Sequence, residues 1–113
     1  MTDKSNGKSL KLTIPMGLAL GTKVELGSRF TFEITLSGRN LSQCELFIES
    51  DNNIFAEGAQ NLSLELVEPN QNVAISLSPI ALTEKPAYIS IKAISDNLAQ
   101  AAGFFVQVVA SQN

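Results

Sequence analysis

The sequence predicts an all-β domain, a sandwich or barrel of seven or more short antiparallel strands. Three observations predict it. Apolar and polar side chains take turns with a period of two along segment after segment. Turn-forming residues separate these segments at fairly even spacing, as in Ser37-Gly38-Arg39-Asn40 and Ser50-Asp51-Asn52-Asn53. No stretch carries a helical period long enough for a convincing helix; Leu98 to Ala102 supports one turn at most.

The elements follow in order. Leu10, Leu12 and Ile14 alternate with Lys11 and Thr13, a first short strand that Pro15 ends or confines to a sheet edge. Met16 to Gly21 is apolar but short and holds two glycines, and reads as an irregular continuation of that edge. Val24-Glu25-Leu26-Gly27-Ser28 leads into the clearest strand. There Phe30, Phe32, Ile34 and Leu36 point one way and Arg29, Thr31, Glu33, Thr35 and Ser37 the other. After the turn, Gln43 to Glu49 places Cys44, Leu46 and Ile48 inward and Phe47 outward, between Glu45 and Glu49. Ile54, Phe55 and Ala56 form a brief apolar patch. Leu62, Leu64 and Leu66 make the next strand, ending near Pro69-Asn70, and Val73, Ile75 and Leu77 the one after, ending at Pro79. Ile80 to Lys85 is a connection in which Leu82 is expected to plug one end of the core. The chain closes with a long hairpin. Its first strand, Ala87 to Ile94, turns Ile89, Ile91 and Ala93 to one face; its second, Gly103 to Ala110, lines one face with Phe104, Val106, Val108 and Ala110.

A chain of 113 residues fits one domain and is long enough to bury a core without disulfides or metal. With 44% hydrophobic and 17% charged residues and a net charge of -3, the balance is globular. The expected organisation is a disordered polar leader over residues 1–8, the sandwich over 9–110 and a tail over 111–113. Mild acidity with scattered Lys and Arg argues against a nucleic-acid partner. No apolar run approaches the roughly 20 residues of a membrane span, so no membrane insertion is expected. The N-terminus lacks the apolar core of a secretory signal. With a native Met1 the expected place is the cytoplasm; for a domain excised from a longer chain it is outside the cell.

The residue types exclude several chemistries. There is no histidine, so Ser-His-Asp and Cys-His arrangements are excluded, as are histidine metal sites. Cys44, the single cysteine, rules out an intrachain disulfide and a thiolate zinc site; its inward parity reads as a buried structural thiol. No phosphate-cradling glycine motif is present. The oxygen-rich loop around Glu49, Asp51, Asn52, Asn53 and Glu57 invites a calcium reading, but Ala56 stands where an EF-hand loop needs glycine, and an ordinary polar turn is expected. No acid has the apolar wall that raises a catalytic carboxyl's pKa. The expectation is a protein that is not an enzyme, with no catalytic residue, no metal and no cofactor.

The pattern Val24-x-Leu26-Gly27-x-x-Phe30-x-Phe32-x-Ile34-x-Leu36, followed by a turn, resembles the second strand of immunoglobulin-like modules of the bacterial adhesion and macroglobulin type. Pro86 to Ile94 with Gly103 to Val109 looks like their closing F–G hairpin. The likeness spans about 90% of the chain in strand count and order. It lacks the antibody-type cysteine pair and core tryptophan; Ser90 stands in the second cysteine's place, and Tyr88 shares its parity with Lys92 rather than with Ile89 and Ile91. The resemblance implies a single immunoglobulin-like antiparallel β-sandwich of about seven to eight strands, and a job in binding or spacing.

In such a sandwich strands C, F and G are neighbours. Their outward residues would be Glu45, Phe47 and Glu49 on C, Tyr88, Ser90 and Lys92 on F, and Phe105, Gln107 and Val109 on G. Three of the seven aromatic residues (six Phe and one Tyr) then share an exposed face. Soluble domains seldom leave such a patch open. The face is therefore expected to dock a protein partner or a second copy of the chain, unless loops or the leader cover it or a β-bulge reverses the parity. The alternatives are a carbohydrate-binding sandwich, with Tyr88 and Phe47 as stacking rings, and a self-assembling subunit of a surface appendage or virus particle.

Overall fold

The alternating segments become strands in a computed structural model, which describes residues 7–19, 21–66 and 70–111. The strands are β1 (Ser9–Thr13), β2 (Thr22–Glu25), β3 (Phe30–Arg39), β4 (Gln43–Ser50), β5 (Gln60–Glu65), β6 (Asn70–Leu77), β7 (Ala87–Ser95) and β8 (Leu98–Val109). They build two sheets, β1-β3-β6 and β2-β8-β7-β4-β5. Every pairing is antiparallel except that of β2 with β8. This is an all-β, immunoglobulin-like sandwich. Strands C, F and G of that arrangement are β4, β7 and β8, adjacent in one sheet.

The period of two decides what lies between the sheets. From the three-stranded sheet come Phe32, Ile34 and Leu36, with Leu10, Leu12, Ile75 and Leu77 beside them. From the other come Leu46, Ile48, Ile89, Ile91, Phe104 and Val106, all 2% exposed or less. Phe104 stands edge-on to Phe32, ring centres 5.2 Å apart at 83°, so an aromatic contact joins the two layers. Each of these large side chains contributes about 1.5–3 kcal/mol by leaving water. Ser95 is buried too, and its hydroxyl donates to the Gln43 carbonyl.

Four expectations are corrected. Met16–Ala19 is a single helical turn, α1, not an irregular edge. The chain must cross from β1 in one sheet to β2 in the other. It does so with Leu18 N–H donating to Pro15 C=O (3.1 Å) and Gly21 N–H to Leu18 C=O (3.0 Å). Gly21 then takes φ +102, open to glycine, and releases the chain into β2. Val24 and Glu25 do not lead into β3. They belong to β2, which lies parallel to β8 in the opposite sheet, and a turn with Gly27 at φ +86 separates it from β3. Leu98 to Ala102 is not a helical turn but the start of β8, because the tight turn at Asp96 (φ +52) pairs Ser95 with Leu98 and zips the alanines against β7. Leu82 does not plug the core: it is 56% exposed. Thr83 ties down that connection instead, donating its N–H to Val108 C=O (3.1 Å) and accepting Val108 N–H on its hydroxyl (3.0 Å). Ile54, Phe55 and Pro79 close that end, with Phe55 bridged to Pro79.

Residues 1–6 of the polar leader and 112–113 of the tail lie outside the described residues. Lys8 pairs with Asp96 at 2.7 Å, and Asn40 donates its side-chain N–H to Gly7 C=O at 3.2 Å.

Candidate functional site

The two sheets turn very different faces outward. On the three-stranded sheet, Thr31 and Ser76 share a hydrogen bond at 2.9 Å, Thr35 donates to Asn72 at 3.0 Å and Ser37 to Asn70 at 2.5 Å. Short polar side chains pair across β3 and β6 and leave little apolar surface. The five-stranded sheet presents rings instead. Tyr88 and Phe105 are directly opposed on β7 and β8, with ring centres 5.0 Å apart at 62°. Phe105 is 52% exposed and Tyr88 37%.

The register places the remaining outward residues. Phe47, half-buried, sits opposite Lys92; Glu49 sits opposite Ser90, and Glu45 opposite Ile94. On β8, Gln107 and Val109 lie opposite Lys23 and Glu25 of β2. Glu45, Glu49 and Lys92 form no ion pair among the described residues. Thus the face holds two apolar spots, Phe47 beside Lys92 and the Tyr88–Phe105 pair, with Ser90 and Glu49 between them.

Two depressions are cut into it. The larger, about 570 Å³, runs beside Phe105, with Pro86, Thr22, Lys23 and Gln107 on its walls. The smaller, about 330 Å³, lies among Phe47, Glu49, Ser90, Lys92 and Ile94. Pro86, Thr22 and Lys23 are residues the sequence reading missed. β2 has no visible address in the sequence, since parallel pairing with a strand 84 residues away leaves no local signal; Thr22 pairs with Val106.

Gly103 holds the ring pair in place. A Cβ there would coincide with the Tyr88 hydroxyl and ring and press on the Ile89 carbonyl. The bare glycine lets Tyr88 lie flat across the sheet. Gly103→Ala is therefore expected to expel the ring. Tyr88 is the one tyrosine and tryptophan is absent, so intrinsic emission reports on this ring alone. A changed tyrosine emission with the β-sheet circular dichroism retained is the expected result.

The oxygen-rich loop supports the face. Asp51–Asn53 is one turn of 3-10 helix, and Asp51 accepts the Tyr88 N–H at 3.1 Å, anchoring the start of β7. Glu57 accepts the Ser78 N–H at 2.8 Å and the Ser78 hydroxyl at 2.9 Å. Among the described residues no group of three or more His, Cys, Asp or Glu is placed to hold a metal. For Glu57, slight burial works upward, but the bonds from Ser78, its own N–H and nearby Arg29 outweigh it and hold the carboxyl below the usual carboxylate range. A carboxyl whose pKa is lower when folded stabilises the fold above its ordinary pKa and loses that contribution as pH falls through the lowered one. Glu57→Gln should flatten the acid limb of a stability–pH curve and leave neutral stability slightly reduced; urea melts across pH check this.

Cys44 is 1% exposed. Burial pushes its thiol up, the Ile94 backbone bond pulls it down and Glu45 adds an upward push. A thiol held protonated and out of water is a packing residue. No helix among the described residues is long and apolar enough to cross a membrane.

No family model matches the chain, and no curated protein matches it. Solved structures resemble it in fold. The CARDB domain of the PF1109 protein from Pyrococcus furiosus, crystallised in complex with di-metal ions, aligns with a TM-score of 0.68 at 11% identity, over 93% of this chain and 96% of that one. The solution structure of the same domain gives 0.58 at 13% identity, over 93% and 96%. The ASH/PapD-like domain 7 of human CEP192 gives 0.47 at 12% identity, over 99% and 92%. At the identities of the PF1109 domain the likeness is one of fold, that of an immunoglobulin-like β-sandwich.

Proposed function

We propose that the chain is a non-enzymatic immunoglobulin-like module that docks a protein partner, or a second copy of itself, on the outer face of the five-stranded sheet. The observation that carries this reading is the contrast between the two outer faces. One is tiled by paired Thr, Ser and Asn; the other keeps Phe105 half in water beside Tyr88. In this reading Phe47, Tyr88 and Phe105 are the apolar anchors, Glu45, Glu49, Lys92 and Gln107 form the polar rim, and Val109 extends the patch. Phe105 is already about half out of water, so covering the rest yields about 0.8–1.5 kcal/mol, and aromatic anchors inside a polar rim are how protein interfaces concentrate their energy. The narrower identity, a module of the adhesion or macroglobulin type, belongs to the same proposal and rests on the β3 pattern and the closing hairpin. So does the expectation of no nucleic-acid partner.

Light scattering over a concentration series, read together with Tyr88 emission, tests the proposal. For a self-docking chain, mass and emission change together; species growing without limit would favour a structural subunit that polymerises. A chain that stays monomeric with constant emission removes the second-copy arm, and the partner is then sought with Phe105→Ser as the matched control. The groove beside Phe105 favours one further reading, a saccharide held between that ring and the polar Thr22, Lys23 and Gln107. A glycan array in which only Phe105-dependent sugars are retained would support it.

A further inference from the structure

Among the described residues no strand fills the position beside β6 on its side away from β3. β1 lies against β8. Counting across from that contact sets β3 over β7 and β6 over β4, so that β5 reaches past the β6 edge with no strand opposite among the described residues. Its side chains show the consequence. Leu62 and Leu64 sit opposite Leu46 and Cys44 and share their inward parity. Leu46 and Cys44 are 0% and 1% exposed, whereas Leu62 and Leu64 are only half-buried.

The backbone beside this gap points into it. Just below β6, Ala56 N–H donates to Ser78 C=O (2.9 Å) and Ile80 N–H to Ile54 C=O (2.8 Å), while Pro79 C=O turns the other way, toward Gly27 N–H (3.4 Å) ahead of β3. Even-numbered residues of this strand therefore aim N–H and C=O away from β3. Carried up β6, the alternation aims those of Asn72, Ala74 and Ser76 at the same side. The side-chain contacts of Asn72 with Thr35 and of Ser76 with Thr31 agree, since close side chains mark the pairs that do not exchange backbone bonds. Among the described residues β6 pairs with β3 alone.

Edge strands are usually blocked by charge or proline. β1 carries Lys11, β2 carries Lys23 and Glu25, and β5 carries Glu65; β6, Asn70 to Leu77, carries neither charge nor proline. The position is also bounded. Ile54–Ala56 fills its foot, and Leu66, packed on Gly38, closes its head.

We infer that this edge accepts an extended peptide strand from a partner protein by strand addition, with apolar side chains at alternate positions laid on Leu62 and Leu64. Unpaired amides and carbonyls call for a backbone in extended form, and the leucine floor calls for every second side chain to be apolar. A two-fold pairing of β6 with the β6 of a second copy does not fit, because each copy's β5 would need the space beneath the other's β6. The edge belongs to the three-stranded sheet, so it is independent of the proposed docking face.

The test is titration of isotope-labelled protein with the blocked peptide Lys-Thr-Val-Thr-Val-Thr-Lys, followed by NMR. In the protein alone, the amides of Asn72, Ala74 and Ser76 exchange with solvent far faster than those of Val73 and Ile75. With peptide they slow, and the Leu62 and Leu64 methyl signals shift. Ala74→Pro removes an N–H that faces the gap and not β3, so it folds and weakens peptide binding about tenfold or more. Slow exchange at all five amides in the protein alone would overturn the inference, as would shifts confined to Phe47, Tyr88 and Phe105, or no shift at millimolar peptide. An unfolded Ala74→Pro would show that this N–H serves the β3 ladder and overturns it equally. Self-association lost in Ala74→Pro, with no peptide response in the parent, would give the edge to another copy of the chain and also contradict it.

Discussion

Replacing Phe104 by alanine is expected to cost about 3–5 kcal/mol, the usual toll of emptying a buried aromatic site. Phe104 is 2% exposed, stands edge-on to Phe32 at 5.2 Å and lies 6.3 Å from Phe30. Total stability for a domain of this kind is about 5–15 kcal/mol, so the loss is a large share. The melting temperature should fall by more than about 10 °C. The same substitution one residue later is expected to be mild. Phe105 is 52% exposed and touches Tyr88 on the outer face, so Phe105→Ala should stay within about 1 kcal/mol. Thermal melts of the two variants give the comparison. Equal losses at both positions would mean that the register of β8 is wrong, since consecutive residues of a strand lie on opposite sides of the sheet.

The second large effect is on association. Phe47→Ser combined with Phe105→Ser should abolish docking and leave the fold intact. Full burial of an exposed ring is worth about 1.5–3 kcal/mol, and both rings are already partly buried, so the pair accounts for about 1.5–3 kcal/mol, on the order of tenfold to a hundredfold in affinity. Phe47 is half-buried between Glu45 and Glu49, and its loss should destabilise slightly more than that of Phe105. Light scattering and circular dichroism on the double variant decide the matter. Retained β structure with lost association is expected. Loss of structure would return both rings to the core and remove the proposed face.

The strands were legible where burial on one side is strong. The alternation in Phe30 to Leu36 and in Ala87 to Ile94 is the direct imprint of a sheet with one dry side, and the buried residues there are those the pattern picks out. What failed to show was set by distant partners. Thr22 to Glu25 looks like a run-up to β3, because nothing in four residues says that they will pair in parallel with β8. The alanines from Ala99 to Ala102 favour helix on their own, and only the hairpin register makes them strand. Leu82 looked like a core residue by type, yet Thr83 holds that connection through two hydrogen bonds and leaves the leucine outside. The candidate face divides in the same way. Parity alone turns Phe47, Tyr88 and Phe105 outward together. The seat that Gly103 makes for Tyr88, the anchor from Asp51 and the groove wall from β2 depend on the closed fold.

Hydroxyl-radical footprinting tests the docking face most directly, because it reports the exposure of individual side chains. It should compare dilute protein with the associated state, whether self-associated or bound to a partner. Phe105 and Tyr88 should be oxidised readily when dilute and protected on association. Met16 and Leu82, 81% and 56% exposed and not among the residues assigned to the face, should be oxidised equally in both. Protection of Met16 or Leu82 with Phe105 still open to attack would contradict the account and place the interface elsewhere.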